Sequence, residues 1–150
     1  MNIMLINGPN LNLLGERESN FYGTTTLSEL EGSLQNYAQE NNCNLSSFQS
    51  NSEGEIIDKI HECSRLLIDA IIINPAGYTH TSIAIRDALL AVNIEFYEVH
   101  ISNIYQREEF RHKSYINDIA KLSFIGDGLD GYKKALASAI KNFKEDWYGY

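Results

Sequence analysis

The chain predicts an α/β fold, a doubly wound five-stranded parallel sheet with helices on both faces. Two patterns predict it. Short apolar runs bounded by Asn, Gly and Pro recur along the sequence. Between them lie longer stretches whose apolar residues return every three or four positions, the period of an amphipathic helix. Strands alternating with helices in this way join through right-handed crossovers into a parallel sheet. At 150 residues and 43% hydrophobic content, one domain over 1–150 with its own core is expected, with 143–150 as a loosely attached tail.

The elements follow in order. Residues 3–6 form a strand that stops at Asn7-Gly8-Pro9-Asn10. Leu27, Leu30, Leu34, Tyr37 and Ala38 lie at helical spacing over 27–40, with Thr25 or Thr26 available as the cap. Residues 45–49 alternate like a second strand. Ile56, Ile57, Ile60 and Cys63 mark a second helix, capped by Ser52 with Glu55 three residues on. The run 69–73 is a buried strand, broken at Asn74-Pro75-Ala76-Gly77, since Pro75 disfavours helix at Asn74 and Gly77 permits a turn. A third helix over 81–92, strands over 94–99 and 122–125, and a last helix over 129–143 complete the alternation.

Charge narrows the partners. A net charge of -8 and a pI near 4.9 argue against nucleic-acid or anionic-membrane binding, where broad basic surface supplies the affinity. An anionic ligand would need a local basic cluster, and Arg17, Arg107 and Arg111 supply three of the five arginines within two short segments. The N-terminus has no basic region or cleavage site, and no apolar run reaches the length of a membrane span, so a cytoplasmic protein is expected. Cys43 and Cys63 form no CxxC pair and read as buried or incidental thiols.

In open α/β sheets ligands bind beyond the carboxyl ends of the strands. There the chain places Asn7-Gly8-Pro9-Asn10, then Asn74 to Ser82, then His100-Ile101-Ser102-Asn103. None is a phosphate loop or a GxGxxG fingerprint, and Pro9 removes an amide that a phosphate cradle would use. Glu98 and His100, two apart on a strand, share a face, so the carboxylate can orient the imidazole as a general acid/base pair. If the segment after Ser102 is helical, Arg107 and Arg111 share a face and present two forks to oxygen ligands. The site suits a small polyhydroxylated anion.

Taken together, several long motifs resemble the type II 3-dehydroquinate dehydratases. They are Ile6-Asn7-Gly8-Pro9-Asn10-Leu11-Asn12-Leu13-Leu14-Gly15, Arg17 with Tyr22-Gly23, Gln49-Ser50-Asn51-Ser52-Glu53-Gly54, Asn74-Pro75-Ala76-Gly77-Tyr78-Thr79-His80-Thr81-Ser82, Arg86-Asp87-Ala88, Glu98 to Asn103, Arg107 to Arg111, and Gly128 with Gly131-Tyr132. The resemblance covers residues 2–140. One variation is Ala76-Gly77, where many relatives carry two alanines.

The resemblance implies a flavodoxin-like fold and an anti elimination of water from 3-dehydroquinate through an enolate, without a cofactor or metal. It makes Tyr22 the base as tyrosinate, His100 held by Glu98 the acid for the leaving hydroxyl, and Asn10 the holder of a water against the enolate oxygen. The substrate carboxylate would meet Asn74, the amides of Ile101 and Ser102 and the Ser102 hydroxyl, with His80 and Arg111 on ring hydroxyls. Holding tyrosine ionised near neutrality costs about 3–4 kcal/mol. One arginine ~4 Å away supplies about 4 kcal/mol at an effective dielectric of ~20. Arg17 and Arg107 are the candidates for that role. His61 and His112 receive none.

The same resemblance implies a homododecamer, a tetramer of trimers, with Asp87 reaching a neighbouring subunit's site. Residues 15–24, which carry Arg17 and Tyr22 between two glycines, are expected to act as a lid. Two rival readings belong to other classes. A metal hydrolase built on His80, Glu98 and His100 lacks any HExxH or clustered Cys/His spacing, and chelator treatment would expose it. A flavodoxin-like module that carries FMN without catalysis would purify coloured.

Overall fold

The computed structural model describes residues 1–16 and 23–148. Arg17 and Tyr22, with most of the expected lid, lie outside the described residues. Strands β1 (Asn2–Asn7), β2 (Asn44–Gln49), β3 (Ala70–Asn74), β4 (Phe96–His100) and β5 (Leu122–Ile125) form one parallel sheet in the order β2-β1-β3-β4-β5. The chain winds outward from β1 to β2, then returns to β3 on the other side of β1. The switch point of this flavodoxin-like sheet therefore falls between β1 and β3, where a crevice opens at their carboxyl ends.

Period-two alternation sorts the strand side chains between two core layers. Ile3, Leu5, Ile72, Tyr97 and Val99 pack against helices α1 (Leu27–Glu40) and α4 (Asp130–Tyr148), whose Leu30, Leu34, Tyr132 and Leu136 face them. Met4, Ile6, Ile71, Ile73 and Phe96 pack against α2 (Glu53–Arg65) and α3 (Ile83–Val92) through Ile56, Ile60, Ile85 and Leu89. Caps set three helix starts. Thr26, rather than Thr25, forms a capping box with Glu29, while Ser52 and Ser82 accept from the amides of Glu55 and Ile85. The last helix runs beyond the predicted residue 143 to Tyr148, with Phe143 stacked on Trp147. Cys43 and Cys63 are free and buried, and burial pushes the Cys63 thiol up to about 11. No described helix is long and apolar enough to cross a membrane.

Where apolarity stops, pairing does not. The first and third strands were expected to end at Ile6 and Ile73, yet each continues to an asparagine, and Asn7 and Asn74 face each other in register. Both are buried, and Tyr132 satisfies them: Asn74 Nδ2 donates to its hydroxyl at 2.9 Å, and that hydroxyl donates to Asn7 Oδ1 at 2.7 Å. The fourth strand likewise occupies Phe96–His100 rather than 94–99.

Two turns depart from expectation. After β3 the left-handed residue is Ala76, at φ 54°, and not Gly77. Asn74 Oδ1 accepts from the Ala76 amide at 3.0 Å, which braces that conformation. After β4 no continuous helix carries Arg107 and Arg111. Two 3-10 turns form instead, Ile104–Gln106 and Glu109–Arg111, because Asn103 caps the first and Arg107 is extended. Gly8 has no room for a side chain. Its amide donates to Asn74 O at 2.8 Å, and a Cβ there would lie 2.3 Å from Pro75 O. The loops after β1 and β3 thus touch backbone to backbone.

Gly8→Ala should destabilise the fold by about 3 kcal/mol through overpacking, lowering Tm by roughly 6–12 °C. Gly77→Ala, with nothing within 4 Å of its Cβ position, should leave Tm unchanged or slightly raised. Calorimetry of both variants checks this.

Candidate active site

A cleft of about 180 Å³ opens at the switch point, lined by Pro9, Asn10, Leu11, Asn74, Ala76, Gly77, His80, His100, Ile101, Ser102, Ile104, Arg107 and Arg111. That is below the ~300–1,000 Å³ of drug-sized pockets and suits a small metabolite. Eight of the residues expected in the site meet here: Asn10, Asn74, His80, His100, Ile101, Ser102, Arg107 and Arg111. Glu98 sits behind His100, fully buried. Asp87 does not line the cleft and is exposed on α3.

The first loop is braced from β2. Asn10 adopts a left-handed backbone at φ 71° and its amide donates to Asn51 Oδ1 at 2.9 Å. Gln49 Nε2 donates to Gly8 O at 3.1 Å and to Asn51 Oδ1 at 3.2 Å, while Tyr78 donates to Asn51 O. Gln49, Asn51 and Tyr78 received no role in the sequence reading, although all three fall inside quoted motifs.

Two histidines form the floor, their ring centroids 6.3 Å apart. His80 Nδ1 donates to Lys113 O at 2.7 Å, since a carbonyl only accepts. Burial, with His100 and Arg111 nearby, holds the His80 imidazole below its ordinary value against the opposing Lys113 bond. Neutral His80 therefore keeps Nε2 as an acceptor, the right character for a hydroxyl ligand.

His100 Nε2 lies 2.6 Å from Glu98 Oε2. The carboxylate also accepts from Ser114 Oγ at 2.6 Å, Ser123 Oγ at 2.8 Å and Asn117 Nδ2 at 3.2 Å. Burial pushes the Glu98 carboxyl up, but the bonds from His100, Ser114 and Ser123 outweigh it and hold the group below the ordinary glutamate range. A buried anion so satisfied orients the ring rather than competing for ligands. Among the described residues, no group of three or more His, Cys, Asp or Glu side chains is placed to hold a metal ion.

Arg107 and Arg111 form a corner of the cleft. Arg107 Nη1 lies 3.5 Å from Ser102 Oγ, and Glu108 stands between the guanidiniums, 3.2 Å from Arg111 Nε and 3.7 Å from Arg107 Nε. Among the described residues two guanidiniums face one carboxylate here, a local basic cluster on an otherwise acidic protein.

Comparison with known proteins identifies the family. The chain matches the family Dehydroquinase class II over residues 1–140. It is 60% identical over 140 residues to "Catabolic 3-dehydroquinase 1" of Fusarium vanettenii, covering 93% of this chain and 96% of that one. It is 55% identical over 143 residues to the 3-dehydroquinate dehydratase of Histophilus somni, 95% of each. The crystal structure of a type II dehydroquinase from Butyrivibrio crossotus superposes with a TM-score of 0.91 at 47% identity, covering 93% of this chain and 97% of that one.

Because its folded-state pKa is depressed, ionised Glu98 contributes stability that is present above the ordinary value near 4.5 and lost as pH falls through the folded value. Glu98→Gln should therefore cost about 2–3 kcal/mol near neutral pH. The gap should narrow as pH falls below the ordinary value near 4.5 and vanish below the depressed folded value, as measured by urea unfolding across pH.

Proposed function

The chain belongs to the class II dehydroquinase family, and on that premise we propose that it removes water from 3-dehydroquinate to give 3-dehydroshikimate, a hydro-lyase step of the shikimate pathway. One observation carries the reading. A histidine bonded to a buried carboxylate stands in a small cleft beside two arginines and a second histidine, at the switch point of the sheet.

In this reading Tyr22, kept as phenolate by Arg17 and Arg107, takes the proton at C2. The enolate oxygen is stabilised by a water held on Asn10, helped by backbone near Pro9 and Gly77. His100 then protonates the departing C1 hydroxyl, and Glu98 stabilises the imidazolium. Asn74, Ser102 and the Ile101 and Ser102 amides receive the substrate carboxylate, while His80 and Arg111 hold ring hydroxyls. All of these except Arg17 and Tyr22 are described, and they line the cleft or, in the case of Glu98, back it. No step calls for a cofactor.

Mixing the protein with 3-dehydroquinate should produce the conjugated-enone absorbance of the product. Tyr22→Phe and His100→Ala should each lower kcat by about 10²- to 10⁴-fold while product still binds. Near-normal turnover in either variant would move that role to another residue.

The same reading includes a homododecamer of four trimers in which Asp87 serves a neighbouring subunit's site. Ile83, Asp87 and Leu90 lie on one face of α3, with Ile83 56% and Leu90 51% exposed, apolar surface that a partner would cover. Light scattering should give a mass many times 17.0 kDa. A monomer in active protein would refute the assembly.

A further inference from the structure

The bonds around Glu98 have a fixed direction. Ser114 Oγ accepts from the amides of Ile116 at 3.2 Å and Asn117 at 3.1 Å, so its one hydrogen is left for Glu98 Oε2. Ser123 Oγ accepts from Asn117 Nδ2 at 3.0 Å, so its hydrogen goes to Glu98 Oε1. The two hydrogens of Asn117 Nδ2 divide between Ser123 Oγ and Glu98 Oε1. With three donors oriented at it, the carboxylate can only accept, and the hydrogen shared with His100 must sit on Nε2.

We propose that Ser114, Asn117 and Ser123 are positioning residues for the acid: acting through Glu98, they fix the His100 ring with Nε2–H on the carboxylate and Nδ1 as the nitrogen available to the cleft. They come from two places, the irregular segment after His112 and strand β5, where Ser123 pairs in register with Glu98. None lines the cleft, so none touches substrate there. Without them Glu98 would hold its proton more readily, and a protonated carboxyl donating to Nε2 would leave the ring a neutral imidazole, whose Nδ1–H is a far weaker acid than that of the imidazolium. The inference rests on His100 being the acid.

The test is a double-mutant cycle. Ser114→Ala and Ser123→Ala should each lower kcat about tenfold with KM within about twofold. Ser114→Thr, which keeps the hydroxyl, should restore most of the loss. In a Glu98→Gln background the same alanine substitutions should cost less than about twofold, because the anion they serve is gone. Ser114 also accepts two loop amides, so if Ser114→Ala does not fold, Ser123→Ala carries the cycle alone. Equal losses in both backgrounds, or no loss of kcat while His100→Ala is severely impaired, would overturn this inference and leave the acid assignment standing. Near-normal turnover by His100→Ala would overturn both.

Discussion

The site depends on the contact between two loops that are distant in sequence and adjacent in space. Gly8 lies so close to Pro75 that the interface is backbone against backbone. This sets how near Asn10 comes to Ala76 and Gly77, and so the width of the cleft they line. The constraint originates one residue earlier, where Asn7 and Asn74 end adjacent strands in register and share Tyr132. A polar bridge at that depth fixes register in a way an apolar pair would not. Sliding one strand by a residue would leave buried amides unsatisfied, at about 1–3 kcal/mol each.

Electrostatically the site is two regimes side by side. Below the histidines, a buried anion is held by hydroxyl and amide donors from several elements. Above them, the arginines sit in a partly open cleft, offset by one exposed glutamate. His100 lies on the boundary, with a fixed negative charge behind it and positive charge in front. An imidazole so placed can carry a proton toward an anionic ligand without surrendering it to its own partner.

The architecture and most of the cleft were legible because both have short-range signals. Apolar periodicity located the five strands and four α-helices of the described residues, and the polar segments after β1, β3 and β4 pointed to one edge. The ends of β1 and β3 were misplaced because Asn7 and Asn74 are polar and only the distant Tyr132 explains their burial, and β4 was stopped at Val99 because His100, although paired with nearby Glu98, is polar. The turn at Ala76 was assigned to the neighbouring glycine because propensity favours glycine there, whereas a side-chain bond from Asn74 decides it. Ser114, Asn117 and Ser123 were invisible for a similar reason. The serine and asparagine three apart read as an ordinary turn, and nothing local says that a carboxylate sixteen or more residues earlier lies beneath it.

The segment after His112 contacts the site from behind at two points. The Lys113 carbonyl holds His80, and the next residue, Ser114, holds Glu98 and through it His100. Arg86 anchors the same segment to α3 by bonds to Tyr115 O and Asp118. The relative tilt of the two imidazoles is thus indexed by a single short peptide, much as one bracket aligns two lenses. A designer grafting this pair of histidines onto another parallel sheet would have to transplant residues 113–118 as one cassette, because copying the two rings alone would leave their angle undetermined.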